Sequence, residues 1–424
     1  MAITRRSLIG RGALLVTSGF LAPSFITRTA LALEGSQPGF TDGGGVVIDP
    51  TKKNRILVVL QLSGGNDGIN TLVPFADPGY ATVRPTLGLP ANEVLKLTDQ
   101  VGLHPNLTHF KALYDQGKLA VIQGVGYPNP NRSHFRSMDI WHSAYPETFE
   151  RSGWLGRYVS ACQCAQDNAL PAISVGDQLN TMFWTDTTLV PAVASIGAFS
   201  FLTDTQYKND RTWQLQTLHN IYTQAGNWSQ YESLIRRGTL NALAGSDELQ
   251  KVAAAYQTPV SYPANNGLAN QFKLVAQVIA GNLGTRLFSV SMGGFDTHAN
   301  EKVTHDRLMT QLDEAVDAFL QDLANINKQD DVVIMSFSEF GRRVRQNGSA
   351  GTDHGTAEPM FIIGNKVTGG IYGSYPSLGD LDNNGDLKFT ADFRSVYAGV
   401  LQDQVGATAA PILGGNFDPL KVIA

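Results

Sequence analysis

The sequence predicts an α/β protein built on a doubly wound, mostly parallel sheet with helices on both faces. Short, continuous apolar runs are typical of strands that are buried on both sides. Patterns of helical period alternate with these runs, which favours an open parallel sheet with crossover helices. With 424 residues, 42% of them apolar, the chain is long enough to enclose a large core.

The first strand is predicted at residues 55–62, where an apolar run ends abruptly in a Gly-rich turn at 63–68. An amphipathic helix around 107–114 leads into a second strand at 119–124. Further apolar runs predict strands at 172–175, 287–292, 332–337 and 360–363.

The clearest helix is predicted over 303–327, where Leu308, Leu312, Val316 and Phe319 form one apolar stripe. Another is expected at about 266–283. Residues 205–258 are polar, of helical pattern and without a clear strand, so they are interpreted as a helical insertion. We find no internal repeats and expect residues 55–424 to form a single α/β domain.

The N-terminus has the features of a twin-arginine signal peptide. Arg5 and Arg6 precede a weakly apolar stretch at 12–26, and the Ala-x-Ala pattern at 30–32 resembles a signal-peptidase site. A signal peptide is therefore predicted at 1–32, followed by a leader at 33–54. The apolar stretch is shorter than the roughly 20 residues that span a bilayer, so no stable membrane span is expected. These features predict export by the twin-arginine translocase to the periplasm or beyond; an ordinary amphipathic start is the alternative.

Charge and cysteine content exclude several classes of protein. The formal net charge is −5. The only charged residues in the predicted signal peptide are arginines, so its cleavage would make the chain still more negative. Nucleic acid is therefore not an expected partner. Cys162 and Cys164 are the only cysteines, which is too few for a zinc cage or an iron–sulfur cluster. Being one residue apart, they could close only a strained bridge, and we interpret them as incidental.

Polar residues collect where the predicted strands end, which is where open α/β sheets bind ligands. Carboxylates and imidazoles without cysteine suit Zn²⁺, Mn²⁺, Mg²⁺ or Ca²⁺. We therefore expect one or two divalent metal ions, without a choice among these metals. The expected ligands are Asp67, Asp296, His298, Glu339, Asp353 and His354.

Ser133 and His134 open a helical stretch after the second strand and are the candidate catalytic residues. The start of a helix favours an anion, and metal ions beside the serine would hold a phosphate or sulfate ester. His134 could act as an acid, a base or a metal ligand, and the sequence does not distinguish these three roles. Ser133 is equally interpretable as a helix cap, and Asp67 as a residue of a Gly-rich turn.

Six short stretches together resemble a large bacterial family, domain of unknown function 1501, whose members typically carry twin-arginine signals. The family is similar in turn to the alkaline phosphatase and sulfatase superfamily. That similarity implies an alkaline-phosphatase-like fold and a two-metal hydrolytic site. The stretches are 62–68, 131–135, 295–298, 338–342, 353–355 and 392–394.

The resemblance implies roles for particular residues. Asp67, Ser133, Asp296, His298, Glu339 and His354 fall in the order of the superfamily's ligands and nucleophile. Two departures put the number of metal ions in question. Asp296 and His298 are closer together than the superfamily's usual Asp and His pair. Glu339 stands where an Asp followed by His is expected.

The expected function is an exported, metal-dependent hydrolase of phosphate or sulfate esters, acting on a small ester or a polymer. One alternative is a metal-binding but non-catalytic exported protein that binds a surface or polymer. Another is a metal-independent hydrolase or transferase that uses Ser133 and His134. A redox enzyme with a large cofactor is the third, although the sequence has no G-x-G-x-x-G motif and no cysteine ligand motif.

Overall fold

A computed structural model describes residues 45–424 except 163, 165–167, 202, 204, 205, 207 and 208. The predicted signal peptide at 1–32 and residues 33–44 of the leader lie outside the described residues. Of the helices that the structure describes, none combines the length and the apolar character needed to cross a membrane.

Within the described residues the chain forms twelve strands. They are β1 Ile56–Leu62, β2 Leu72–Val73, β3 Leu95–Lys96, β4 Gly102–Leu103, β5 Leu119–Gly126, β6 Ala172–Val175, β7 Ala192–Val193, β8 Leu287–Met292, β9 Val332–Phe337, β10 Glu358–Ile363, β11 Gly370–Tyr372 and β12 Ala391–Asp392. Three of them, β2, β3 and β4, form a separate small antiparallel sheet.

The same part of the chain forms eleven α-helices. They are α1 Gly68–Thr71, α2 Pro78–Val83, α3 Thr108–Asp115, α4 His134–Ser143, α5 Trp154–Ala161, α6 Asp210–Thr223, α7 Gln230–Ala255, α8 Gly267–Ala280, α9 Glu301–Asn325, α10 Phe393–Gly399 and α11 Ala409–Leu413. A π-helical segment at Val400–Val405 follows α10 directly.

The central sheet has the strand order β11-β5-β10-β9-β1-β8-β6-β7, and β12 also pairs with β5. The central strand β1 runs parallel to both neighbours, β8 and β9, so the predicted mostly parallel sheet is confirmed. The exception is β10, which is antiparallel to β5 and β9. Residues 338–357 connect β9 to β10 without a helix. The chain therefore returns beside β9 in the opposite direction, whereas a parallel neighbour would need a crossover connection.

Apolar cores cover both faces of the sheet. Every residue of β1 is buried, and successive side chains point to opposite faces. Val58 and Leu60 belong to the core that includes α8 and α9. Leu57 and Val59 belong to the core that includes α4, α5 and α10. Helices thus pack on both sides, as the sequence predicts for a doubly wound fold.

Several element bounds coincide with the sequence-based expectation. The strands expected at 287–292 and 332–337 are found at those residues, and the helix expected at 303–327 is α9, shifted by two residues. The strand expected at 360–363 begins two residues earlier, at Glu358. The described residues of 205–258 form α6 and α7 and no strand. Cys162 and Cys164 are joined by a disulfide.

Candidate metal centre

Three neighbouring strands deliver loops to the same edge of the sheet. Because β8, β1 and β9 are parallel and adjacent, the segments that follow them start side by side. Gly64, in the turn after β1, has φ +119°. A Cβ there would lie 2.5 Å from the backbone nitrogen of Asp296, so only glycine permits this close approach of the two loops. The loop of residues 338–357, here called the return loop, then brings His354 to the same edge.

Four side chains meet in this place, and we call them the His–Asp cluster: His134, Asp296, His298 and His354. Oδ1 of Asp296 lies 3.1 Å from Nε2 of His298, 3.1 Å from Nε2 of His354 and 3.6 Å from Nε2 of His134. The two Nε2 atoms of His298 and His354 are 3.1 Å apart. Tetrahedral Zn²⁺ with bonds of about 2.0–2.1 Å places neighbouring ligand atoms about 3.3 Å apart. One ligand atom each from His134, Asp296 and His354 lie within 4.8 Å of one another, so these three side chains could hold one divalent ion, with His298 beside them.

The three imidazoles are oriented from behind by hydrogen-bond acceptors. Nδ1 of His134 is 2.7 Å from Oε1 of Glu339. Nδ1 of His298 is 3.1 Å from Oδ1 of Asp353, and Nδ1 of His354 is 2.8 Å from the carbonyl oxygen of Arg132. Since these oxygens accept the Nδ1–H hydrogens, each neutral ring carries its lone pair on Nε2. The Nε2 lone pairs of His134 and His354 and an oxygen of Asp296 thus lie close together, and a cation among them would relieve their mutual repulsion.

Two of the predicted metal ligands, Glu339 and Asp353, stand behind imidazoles in this structure. Glu339 is buried, and its carboxylate also accepts hydrogen bonds from the backbone of Gly64 and from the hydroxyl of Ser338. Asp353 also accepts a hydrogen bond from Asn347. Their contacts orient His134 and His298, which is a different position from the one the sequence analysis gave them.

The structure does not bring the carboxylate of Asp67 into the His–Asp cluster. Its two oxygens form a bidentate ion pair with Arg84, at 2.6 and 2.9 Å, and both side chains are fully buried. Burial alone would raise the pKa of Asp67, but the Arg84 guanidinium holds it well below its usual range. In this structure the charge of Asp67 is thus neutralised by Arg84 outside the His–Asp cluster, and its role as a metal ligand stays a prediction.

Arg342, which the sequence analysis did not single out, ties the loops of this edge together. Its buried guanidinium lies 2.7 Å from Oδ1 of Asp296. It also donates hydrogen bonds to the carbonyl oxygens of Gly64, Gly65, Phe295 and Thr352. Burial would raise the pKa of Asp296, but the hydrogen bond and the charge of the Arg342 guanidinium lower it to about 2. Asp296 is thus a carboxylate over the whole physiological range.

Ser133 is exposed at the first residue before α4, directly next to His134. Although it occupies the N-cap position, its hydroxyl makes no capping hydrogen bond. Its backbone N–H donates instead to Oδ1 of Asn131. The side chain therefore does not serve as a cap.

Several solved structures are similar to this chain. A protein of the alkaline phosphatase superfamily from Vibrio parahaemolyticus has 12% identity and a TM-score of 0.42, with 93% of this chain and 79% of that chain covered. The PsFucS1 sulfatase from Pseudoalteromonas sp. has 12% identity and a TM-score of 0.39, with 89% of this chain and 77% of that chain covered. The C-terminal periplasmic domain of EcEptC from Escherichia coli, in complex with Zn, has 10% identity and a TM-score of 0.37, with 86% of this chain and 85% of that chain covered.

At such low identities these similarities say nothing about the activity of this chain. None of the curated proteins matches the sequence. A family model, described as "Protein of unknown function (DUF1501)", matches residues 54–411, which is most of the chain. The protein therefore belongs to the DUF1501 family.

Proposed function

We propose that this protein is an exported, metal-dependent hydrolase of phosphate or sulfate esters. The observation that carries the proposal is the grouping of His134, Asp296 and His354, whose ligand atoms all lie within 4.8 Å of one another. Two imidazole nitrogens and one carboxylate oxygen, with the His298 imidazole beside them, form a borderline donor set, which favours Zn²⁺ over Mg²⁺ or Ca²⁺. The geometry supports one ion for this cluster.

The residues around the cluster supply the other requirements of ester hydrolysis. The side chains of Asp296 and His298 are 49% and 46% exposed, so a substrate reaches the cluster from solvent. A bound divalent cation would polarise the ester and lower the pKa of an oxygen nucleophile. The start of α4 adds partial positive charge for the anionic group.

Ser133 is the candidate nucleophile in this proposal. Its oxygen forms a bond to phosphorus or sulfur while the bond to the alcohol oxygen breaks, and the alcohol leaves after taking up a proton. Water then releases the anion from the serine. His134, which the sequence left open as acid, base or ligand, is proposed as a ligand because its Nε2 faces Asp296 and its Nδ1 is held by Glu339.

A second candidate function is metal binding without catalysis. One observation favours it: Asp67, an expected ligand, is bound by Arg84. A second metal site that depended on Asp67 would therefore be blocked, and a single ion would have to supply all the charge that the reaction needs.

Metal content of the protein purified without chelator tests the site itself. We expect about one equivalent of divalent metal in the wild type, and its loss in His354→Ala. His219→Ala is the matched control, because His219 is an exposed histidine of the helical insertion. Equal metal content in the wild type and His354→Ala would refute the proposed centre.

Turnover by Ser133→Ala tests the chemistry. We expect hydrolysis of the best phosphate or sulfate ester in a panel to fall by orders of magnitude, while metal content is unchanged. The fold should be kept, since no side-chain cap worth about 0.5–2 kcal/mol is lost. Turnover that survives both metal removal and His354→Ala would point to a metal-independent serine hydrolase. Bound metal without any turnover would favour the non-catalytic function.

A further inference from the structure

A cavity of about 340 Å³ adjoins the His–Asp cluster. The chain segments that line it run directly into the cluster: Phe340 follows Glu339, and Thr356 lies two residues after His354. The ring of Phe340 is 4.6 Å from the His354 ring and 4.9 Å from the His134 ring, centroid to centroid. Phe340 therefore forms a wall that the cavity and the cluster share.

The hydroxyl groups of the cavity wall are already bonded within the protein. The Tyr127 hydroxyl lies 2.7 Å from Oγ of Ser137. The Thr356 hydroxyl donates to the carbonyl oxygen of Leu387. A ligand in the cavity thus finds hydroxyl groups whose hydrogen bonds are made elsewhere.

The two charged residues of the lining each have an ion-pair partner, although the pair of Lys388 is exposed to solvent. Asp382 pairs with Arg132 at 2.9 Å, and Lys388 pairs with Asp380 at 2.5 Å. An anionic phosphate or sulfate would find no unpaired cation among the lining side chains. The remaining wall is apolar and includes Leu387 and the partly exposed Phe389.

We propose that this cavity binds the uncharged, apolar part of the ester, an aromatic or alkyl group, while the anionic part lies at the His–Asp cluster. The inference rests on the proposed function and names its substrate class. A cavity of about 150 Å³ holds benzene, so 340 Å³ accommodates a fused two-ring group or a short alkyl chain. Phe135, 87% exposed and next to His134, adds apolar surface beside the cluster.

Binding of 2-naphthol, followed by fluorescence titration, tests the cavity without any need for turnover. We expect the wild type to bind 2-naphthol and Phe389→Ala to bind it at least about tenfold more weakly, because one apolar wall is removed. Phe149→Ala is the matched control, since Phe149 is exposed and does not line the cavity. Ala357→Leu, which fills the cavity, provides a second variant, with folding checked by circular dichroism.

Absence of 2-naphthol binding by the wild type would overturn the inference. The inference would also be overturned if Phe389→Ala and a folded Ala357→Leu both bound 2-naphthol as tightly as the wild type.

Turnover of 2-naphthyl and methyl esters separates this inference from the proposed function. We expect the naphthyl ester to have the lower KM in the wild type, and Phe389→Ala to remove the difference. Equal KM values for both esters, unchanged by Phe389→Ala, would overturn the cavity inference and leave the hydrolase standing. A third outcome is that neither ester is turned over but His354→Ala and the wild type bind 2-naphthol equally. This result would refute the proposed hydrolase function and support the cavity as an apolar binding site.

Discussion

Glu339 and Asp353 hold their imidazoles with unequal strength. The Glu339 side chain is 1% exposed, and its carboxylate is fixed by a backbone and a hydroxyl donor as well as by His134. The Asp353 side chain is 51% exposed, so solvent screens its charge. The electrostatic support of His134 is therefore greater than that of His298, although both contacts have the same form.

This difference predicts the effect of two matched substitutions on metal affinity. Glu339→Gln keeps an oxygen acceptor but removes the charge, and we expect affinity to fall about 10–100-fold, as for other partners of metal-bound histidines. Asp353→Asn should weaken binding less. A competition titration against a chelator measures both, and a larger loss in Asp353→Asn would contradict the argument from burial.

At the scale of elements, the first turn of α9 is fixed to the return loop. The backbone N–H of Glu301 donates to Ala350, and its carboxylate accepts from the Thr352 hydroxyl. The same carboxyl group lies in the buried site of Asp67 and Arg84. Burial, and then the charge of Asp67, raise the pKa of Glu301 to about 9. Glu301 is thus protonated at neutral pH, and this neutral group helps to position the loop that carries His354.

The raised pKa of Glu301 predicts how stability depends on pH. In the unfolded chain a glutamate has a pKa of about 4.3, so its stabilising contribution is complete below that pH and is lost as the pH rises toward about 9. Glu301→Gln keeps the neutral form and removes this dependence. We expect the wild type to lose more unfolding free energy than Glu301→Gln between pH 5 and about 8.5.

Urea unfolding with chelator present, so that metal binding does not contribute, measures this difference. Parallel pH profiles for both proteins would show that Glu301 is not the titrating group.

At the scale of the whole molecule, the His–Asp cluster exists only when distant parts of the chain are assembled. His134 and Glu339 are separated by 205 positions, and His354 and Arg132 by 222. A site of this kind binds its metal in the folded chain, since the unfolded chain does not bring the ligands together. Export of an already folded protein through the proposed twin-arginine route is consistent with metal loading before translocation.

The export route predicts the outcome of a double substitution at the N-terminus. Arg5→Lys with Arg6→Lys should leave unprocessed precursor in the cytoplasm, because the translocase recognises the arginine pair. Cell fractionation followed by mass measurement tells precursor from mature protein. A double variant that still matures to a start near Leu33 would rule out this route.

By itself the sequence determined that the sheet is mostly parallel, where six of its strands lie and which polar residues follow or precede them. The strands at 287–292 and 332–337 were predicted with their observed bounds because apolar runs buried on both faces end sharply at polar loops. Asp296, His298 and His354 were chosen as candidates because ligands bind where such strands end. These are local signals, carried by neighbouring residues.

Only the tertiary structure decided which polar side chains face a common point. Glu339 and Asp353 look like ligands in the sequence, yet each lies behind an imidazole. Asp67 is paired with Arg84, whose guanidinium no motif connects to it. A carboxylate is a ligand, a supporting acceptor or half of an ion pair according to the group within about 3 Å of its oxygens. In a folded chain that group often comes from a segment hundreds of residues away.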